Sequence, residues 1–245
     1  MHLDTAADTS ATTGIPAAWS RTMTLREQAY EEIRGEMLHR RLAYDALASE
    51  REIAAALEMS RTPVREALAV LIATGVLEQT PQVGVKVRRI NADQALRTIR
   101  LRLGLEPVIV EEIASLPDAS LDELYEAAGA AVEAYEEDNK IAFMLADTRL
   151  HRGLARIGGF TTSITGLQGL RDEVHLFRLD HPLSSTEMHD VIREHADLLD
   201  AIEARDKSRA EGAALQHLEA TRARIDGAEA GEVRRGEDAL ALSRG

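Results

Sequence analysis

The segment SRTPVREAL, residues 60–68, places two arginines near the start of one short helix. Ser60 is a residue type that caps helices, and Pro63 falls in the first turn, where its missing N–H costs little. Arg61 and Arg65 are one helical turn apart and share a face that the apolar residues do not occupy. The segment therefore predicts a capped helix that buries one face and points two cations outward.

The flanking segments predict that this helix is the second half of a helix-turn-helix. A first helix is predicted from Thr24 in TLRE, and a short second one from Ser49 in SERE, because both tetrapeptides fit a capping box. EMS then makes a tight turn into the arginine-bearing helix, which Gly75 ends. In VLEQTP and GVKVRRI, apolar and polar residues alternate as they do in the two strands of a hairpin, with QVG at the tip. This order predicts a winged helix-turn-helix over residues 23–90.

The rest of the chain shows helical periodicity and no strand pattern. Asn91 caps the first of about six helices, and SLDE and SSTE offer capping boxes at Ser120 and Ser184. The predicted helices lie near residues 92–116, 120–138, 140–157, 162–179, 185–204 and 207–226. The predicted fold is therefore mainly α: an N-terminal winged helix-turn-helix followed by an all-α antiparallel helical bundle.

Both ends of the chain lack such patterns. Residues 1–22 are rich in Thr, Ala, Asp and Ser without periodicity, which predicts a disordered tail. Residues 229–245 are predicted to be a loose C-terminal tail. The helical domain predicted between the winged helix-turn-helix and this C-terminal tail covers residues 91–228.

Composition agrees with a helical protein. Aromatic residues make up 3% of the chain, and Ala, Leu, Glu and Arg are abundant, which disfavours a β-sandwich or barrel. The absence of cysteine excludes disulfides and thiolate metal sites. No signal peptide is recognisable, and the longest apolar run, ALAVLIATGVL, is 11 residues and too short to span a bilayer. We expect a cytoplasmic protein.

The negative charge is concentrated in the C-terminal part. The formal net charge is −13, yet residues 23–90 carry ten basic and ten acidic residues, against 18 and 30 in residues 91–245. An acidic protein usually avoids nucleic acid, but the balance of each domain matters more than the total. The N-terminal part is therefore free to bind DNA.

In a helix-turn-helix, the first residues of the second helix point into the major groove. Arginine there can bond bidentately to guanine, and the hydroxyl groups of Ser60 and Thr62 suit phosphate. Two arginines on an isolated helix are more often a solvated face. The surrounding helix, turn and hairpin favour DNA contact for Arg61 and Arg65.

The stretch from SEREIAAALEMSRTPVREAL to the wing sequence TPQVGVKV strongly resembles the DNA-binding domain of the GntR family of bacterial transcription regulators. The resemblance implies that three arginines contact DNA with help from a threonine, and that the wing-tip glycine enters the minor groove. Two departures are Tyr44-Asp45, where the family usually has Pro-Gly, and Val83, where the wing often has a basic residue. The predicted DNA-binding residues are Arg51, Ser60, Arg61, Thr62, Arg65, Gly84 and Lys86.

Four residues of the C-terminal helices have the spacing of a metal site. DTRLH places Asp147 and His151 one turn apart, and His195 and His217 follow on the next helices, 22 residues from each other. Imidazole and carboxylate ligands suit zinc, nickel or manganese, and a helical bundle can project them inward from facing helices. Asp-x-x-x-His alone is a weak signal, because a lone helical histidine is usually a surface or satisfied core residue.

An all-helical domain after a GntR-type winged helix, with these four residues in this order, resembles the FCD domain of the FadR subfamily. The resemblance implies a divalent transition metal, with zinc favoured over nickel or manganese, bound by Asp147, His151, His195 and His217. RLGLE resembles the motif on the first helix of that domain, which implies that Arg102 faces an effector cavity. The alternative for Arg102 is a partner for an acidic surface residue.

We therefore expect a transcription regulator and not an enzyme: a repressor rather than an activator, binding a pseudo-palindromic double-stranded DNA operator as a homodimer. Because effectors of this family are often small organic acids, we expect a carboxylate metabolite at the metal and Arg102. One alternative is a regulator for which the metal itself is the signal. The other is a metal-dependent hydrolase, which would need a general base that no motif identifies and would leave SRTPVREAL unexplained.

Overall fold

Two units make up the chain, Met1–Arg88 and Arg89–Gly245. The computed structural model describes residues 24–42, 44, 46–160 and 164–242. The tail predicted for residues 1–22 lies outside these ranges, as does Asp45.

The N-terminal unit contains three helices and a two-stranded sheet within its described residues. They are α1 (Leu25–Leu38), α2 (Glu50–Ala56), α3 (Arg61–Ala73), β1 (Leu77–Thr80) and β2 (Gly84–Val87). The strands are antiparallel, with Leu77 opposite Val87, and Ala48 adds one bridge to Val85. Ile33 and Leu71 are fully buried between the helices. This arrangement confirms the predicted winged helix-turn-helix.

The ends of these helices show how local sequence sets the turn. Thr24 and Ser49 both form the predicted capping boxes. Ser60 occupies the N-cap of α3 with an extended backbone, although its side chain makes no capping hydrogen bond. Gly75 has a φ of 74°, and the N–H groups of Gly75 and Val76 donate to Ile72 and Leu71. This is a Schellman motif, in which glycine takes the left-handed position at no steric cost.

The C-terminal unit is helical throughout its described residues. Its helices are α4 (Ala92–Ser115), α5 (Asp122–Glu136), α6 (Lys140–Ile157), α7 (Ile164–Asp180), α8 (Ser185–Glu203) and α9 (Lys207–Leu242). Helix α4 packs along α9, α5 along α6, and α8 against α9. Apolar side chains from these helices, including Ile113, Leu150, Leu198 and Ile202, form one buried cluster. The predicted bundle of six helices is confirmed.

Two helix boundaries differ from the prediction. The capping box predicted at Ser120 is wrong, since α5 has Leu121 at its N-cap and the Ser120 hydroxyl instead donates to the Asp122 carboxylate at 2.9 Å. The hydroxyl stands one residue too early to reach the third residue of the helix. Helix α9 continues to Leu242, where the sequence predicts a loose tail from residue 229. The Ala, Glu and Arg residues of this segment have high helix propensity.

Across the described ranges, no helix combines the length and the apolar character that crossing a membrane would require.

Candidate metal centre and nucleic-acid interface

Three buried histidines of the C-terminal unit converge on one point. His151 lies on α6, His195 on α8 and His217 on α9, and their ligand nitrogens all lie within 4.8 Å of one another. The Nε2 atoms of His151 and His195 are 3.2 Å apart. The structure thus brings together the three histidines that the sequence predicts as metal ligands.

Asp147 joins the same cluster from one turn earlier on α6. Its Oδ1 lies 3.6 Å from Nε2 of His151 and 3.5 Å from Nε2 of His195. Its Oδ2 lies 3.2 Å from Nε2 of His175 and accepts a hydrogen bond of 3.2 Å from Nη1 of Arg171. One carboxylate oxygen therefore faces the histidines while the other is held in place by α7.

Burial sets the protonation of the cluster. Desolvation, followed by the charge of His217, lowers the pKa of His195 to about 3. Desolvation and the charge of Arg171 hold the pKa of His151 well below its ordinary value. Burial alone would raise the pKa of Asp147, but His151, His175 and Arg171 together hold it well below the usual range. At neutral pH His151 and His195 are therefore neutral imidazoles beside the carboxylate of Asp147, and these are the forms that bind metals.

The orientation of His217 is fixed by a partly buried carboxylate. Nδ1 of His217 lies 2.8 Å from Oε2 of Glu194, and Arg224 binds the same carboxylate through both terminal nitrogens. Burial opposes ionisation of Glu194, but the hydrogen bonds from His217 and Arg224 lower its pKa, so it is a carboxylate and can only accept. The proton of the ring is therefore on Nδ1, and Nε2 is free to bind a metal. Such carboxylate–histidine pairs are common around metal ions.

The distances fit a tetrahedral metal. Ligand atoms that each lie 2.0–2.1 Å from a tetrahedral zinc ion are separated by about 3.3–3.4 Å. The separations among His151, His195 and Asp147 are 3.2, 3.5 and 3.6 Å. Three imidazoles and one carboxylate are also the donor types that zinc, nickel and manganese accept. The residues present therefore fit a divalent transition metal.

Arg102, the predicted effector-binding residue, lies on α4 next to this cluster. It is buried, and its Nε donates to Oε1 of Glu106 at 2.6 Å. Nη2 of Arg171 donates to the other oxygen of Glu106 at 2.7 Å. Burial opposes ionisation of Glu106, but the two arginines lower its pKa to about 2. The acidic partner of Arg102 is thus a buried residue of the site and not a surface one.

A cavity of about 50 Å³ connects Arg102 with Asp147 and His217. Its wall also contains polar residues that the sequence analysis missed, namely His175, Arg178 and Arg224. A signal for them existed in the spacing: Arg171, His175 and Arg178 are four and three residues apart, which places them on one face of α7. Their partners on other helices could not be identified from that spacing.

In the N-terminal unit, the two arginines of SRTPVREAL share one carboxylate. Nε of Arg61 donates to Oε1 of Glu50 at 2.9 Å, and Nε of Arg65 donates to Oε2 at 2.9 Å. Both arginine side chains remain more than 60% exposed. Arg51, Ser60 and Thr62 are also exposed around the start of α3. These five predicted DNA-contacting residues therefore lie on the accessible surface around the first turns of α2 and α3, with Glu50 holding the guanidinium groups of Arg61 and Arg65.

The wing contains the other two predicted residues. Lys86 is half-exposed and lies 3.1 Å from the carboxylate of Glu78 on the opposite strand. A Cβ atom added to Gly84 would lie 2.4 Å from the carbonyl oxygen of Ala48. Gly84 thus has a structural reason for being glycine, because only a hydrogen side chain lets β2 approach the chain before α2.

Comparisons with known proteins agree with this division. Residues 25–87 match the family model described as bacterial regulatory proteins, gntR family, and residues 97–220 match the FCD domain. The chain is 30% identical over 80% of its length to the "Probable D-xylose utilization operon transcriptional repressor" of Paenarthrobacter nicotinovorans, of which the match covers 87%. It is 28% identical over 81% of its length to the HTH-type transcriptional repressor RspR of Escherichia coli, with 87% of that protein covered.

The fold is similar to that of solved regulators. The match to Escherichia coli McbR/YncC has a TM-score of 0.69 and 21% identity, and covers 84% of this chain and 98% of that one. A putative GntR regulator from Rhodococcus gives a TM-score of 0.64 with 23% identity, covering 82% and 97%. The chain belongs to the GntR family of bacterial transcriptional regulators, which are not enzymes, and it has an FCD domain as its C-terminal part.

Proposed function

We propose that the protein is a repressor that binds a pseudo-palindromic operator as a homodimer and changes its DNA affinity when a small carboxylate binds in the FCD domain. The observation that carries the proposal is the shared cavity of Arg102, Asp147 and His217. It places a cationic side chain beside a cluster that fits a metal, in a chain whose other unit is a GntR domain. Two relatives with similar coverage are named repressors, which supports repression.

The operator would be read by α3 and the wing. The exposed guanidinium groups of Arg61 and Arg65 suit guanine edges in the major groove. Contacts to the flanking phosphates suit Arg51, Ser60 and Thr62. At the wing, Lys86 suits phosphate and Gly84 allows close approach of the backbone to the minor groove.

In the FCD domain, Asp147, His151, His195 and His217 would hold the metal, with zinc favoured and nickel or manganese as alternatives. The ion would supply a positive charge and a Lewis-acidic position for a carboxylate oxygen. Arg102 would donate to the same carboxylate, Glu106 would hold Arg102 in place, and Arg171 would hold Glu106.

An apolar stripe on α4 supports dimerisation. Leu101, Leu105 and Val108 are four and three residues apart and are each about half exposed in the single chain. A second copy of this chain is the occupant that we propose, because a two-fold dimer presents two identical DNA-binding units to the two halves of a pseudo-palindromic operator.

The test begins with selection of bound genomic fragments by the purified protein, followed by operator titrations of the metal-loaded protein. A panel of small carboxylates is then added, and we expect at least one to change operator affinity by about 5- to 150-fold, the usual range of allosteric coupling. If no carboxylate has an effect but added metal changes the DNA affinity of an already folded apo-protein, the ion itself is the signal. If no genomic fragment is selected even at low salt, the proposed function is wrong.

A further inference from the structure

Arg178 on α7 is a buried cation with an open hydrogen-bonding edge. Its relative exposure is 6%, and it lines the cavity that contains Arg102 and His217. Its Nη1 makes a long contact of 3.5 Å to the carbonyl oxygen of His181. Its Nη2 is buried and has no hydrogen-bond partner among the residues that the structure describes. Buried polar groups are nearly always paired, so an unpaired guanidinium nitrogen beside a cavity points to a ligand.

The other arginines of this site differ from Arg178 because each of them forms an ion pair with a carboxylate. Arg102 and Arg171 share the carboxylate of Glu106, and Arg171 also binds Asp147. Arg224 is paired with Glu194. No such ion pair to Arg178 is found in the described part of the chain. The positive charge of Arg178 is therefore available to an anion that enters the cavity.

We propose that Arg178 forms a second anion subsite, so that the effector is a short dicarboxylate with one carboxylate at the metal centre and Arg102 and the other at Arg178. The inference rests on the proposed function, since it assumes that the first carboxylate binds at the metal. Apolar residues, Phe143 and Val174 among them, line the same cavity as these polar groups, and they suit a hydrocarbon linker. The cavity volume of about 50 Å³ favours a short one.

The test is isothermal titration calorimetry of the metal-loaded full-length protein with succinate and glutarate, compared with butyrate and valerate of the same chain lengths. A hydrogen bond to a charged group contributes about 1.5–3 kcal/mol, so the dicarboxylate of each pair should bind about 10- to 150-fold more tightly. In Arg178→Gln, the two members of each pair should bind alike. Arg178→Lys keeps the charge and should restore part of the preference. Arg222→Gln removes an exposed arginine on α9 and should leave the preference intact.

The outcomes separate this inference from the proposed function. If the wild-type protein binds both acid types equally, or if Arg178→Gln keeps the preference, the second subsite is wrong while the carboxylate effector stands. If no carboxylate binds but operator DNA does, both the subsite and the carboxylate effector are wrong. The comparison of dicarboxylates with monocarboxylates in the wild-type protein needs no variant. Equal binding there would contradict the second subsite even where Arg178→Gln fails to fold.

Discussion

Nδ1 of His217 lies 2.8 Å from Oε2 of Glu194, and His217 belongs to the cluster of three histidines. The carboxylate fixes the tautomer and orientation of the ring and raises its basicity as a ligand. Glu194→Gln should therefore weaken metal binding by about 10- to 100-fold, the usual effect of removing such a partner. Competition with a chromophoric chelator measures this affinity.

The matched control is Glu211→Gln, which removes an exposed carboxylate from the same helix as His217. It should leave metal affinity unchanged. Equal affinity of Glu194→Gln and the wild-type protein would mean that the pair has only a structural role.

Removal of a proposed ligand should separate metal binding from DNA binding. His195→Ala deletes one buried imidazole of the cluster, so bound metal should fall to a small fraction of one ion per chain. The N-terminal unit has its own core and should still bind DNA. Elemental analysis and fluorescence anisotropy with operator DNA measure the two properties.

His189→Ala serves as the comparison, because His189 lies on the same helix and is exposed. It should retain full metal content. Full metal content in His195→Ala would contradict the proposed ligand set, and loss of both metal and DNA binding would indicate unfolding.

Glu50 should control the geometry and the net charge with which Arg61 and Arg65 contact DNA. Its carboxylate holds both guanidinium groups and cancels part of their charge. Glu50→Gln should therefore bind random DNA several-fold more tightly and lose part of its preference for operator, because two freed arginines gain phosphate attraction and lose a fixed geometry. Anisotropy titrations with operator and random duplexes at several salt concentrations measure both effects.

Glu58→Gln changes the net charge by the same amount at an exposed position after α2. Any gain in non-specific binding from net charge alone should appear in this variant too, without a loss of operator preference. If the two variants behave alike, Glu50 has no positioning role.

The features that could be predicted from the sequence depend on residues close together in the chain. The capping boxes at Thr24, Ser49 and Ser184 each need only four consecutive residues, and all three form. At Ser120 the same pattern fails because the helix begins one residue later than the pattern predicts. The four residues of the pattern do not determine that starting point.

The convergence of the histidines and their partners has a different origin. The pairing of Glu106 with Arg171 joins residues 65 positions apart, and that of Glu194 with Arg224 joins residues 30 positions apart. Such pairs depend on the rotation of each helix about its axis in the bundle. Periodicity identifies the buried face of a helix but not the neighbour that this face meets. The resemblance to a family supplied the four proposed ligands, and only the packed helices supplied the residues around them.

The wing gives the last prediction, because Gly84 and Gly35 should respond to the same substitution with opposite signs. A Cβ at Gly84 would lie 2.4 Å from the backbone oxygen of Ala48, which cannot move without breaking the paired hydrogen bonds of 2.9 Å between Ala48 and Val85. Gly84→Ala should lower the free energy of unfolding of the N-terminal unit by about 1–3 kcal/mol.

Gly35 is inside α1 and a Cβ there meets nothing within 4 Å. Gly35→Ala should stabilise the unit by about 0.5–1 kcal/mol. Amide hydrogen exchange at Ala48 and Val85 in the full chain measures the effect, with faster exchange in Gly84→Ala and equal or slower exchange in Gly35→Ala. Unchanged exchange in Gly84→Ala would mean that β2 can shift away from Ala48, and the wing would then not require glycine at this position.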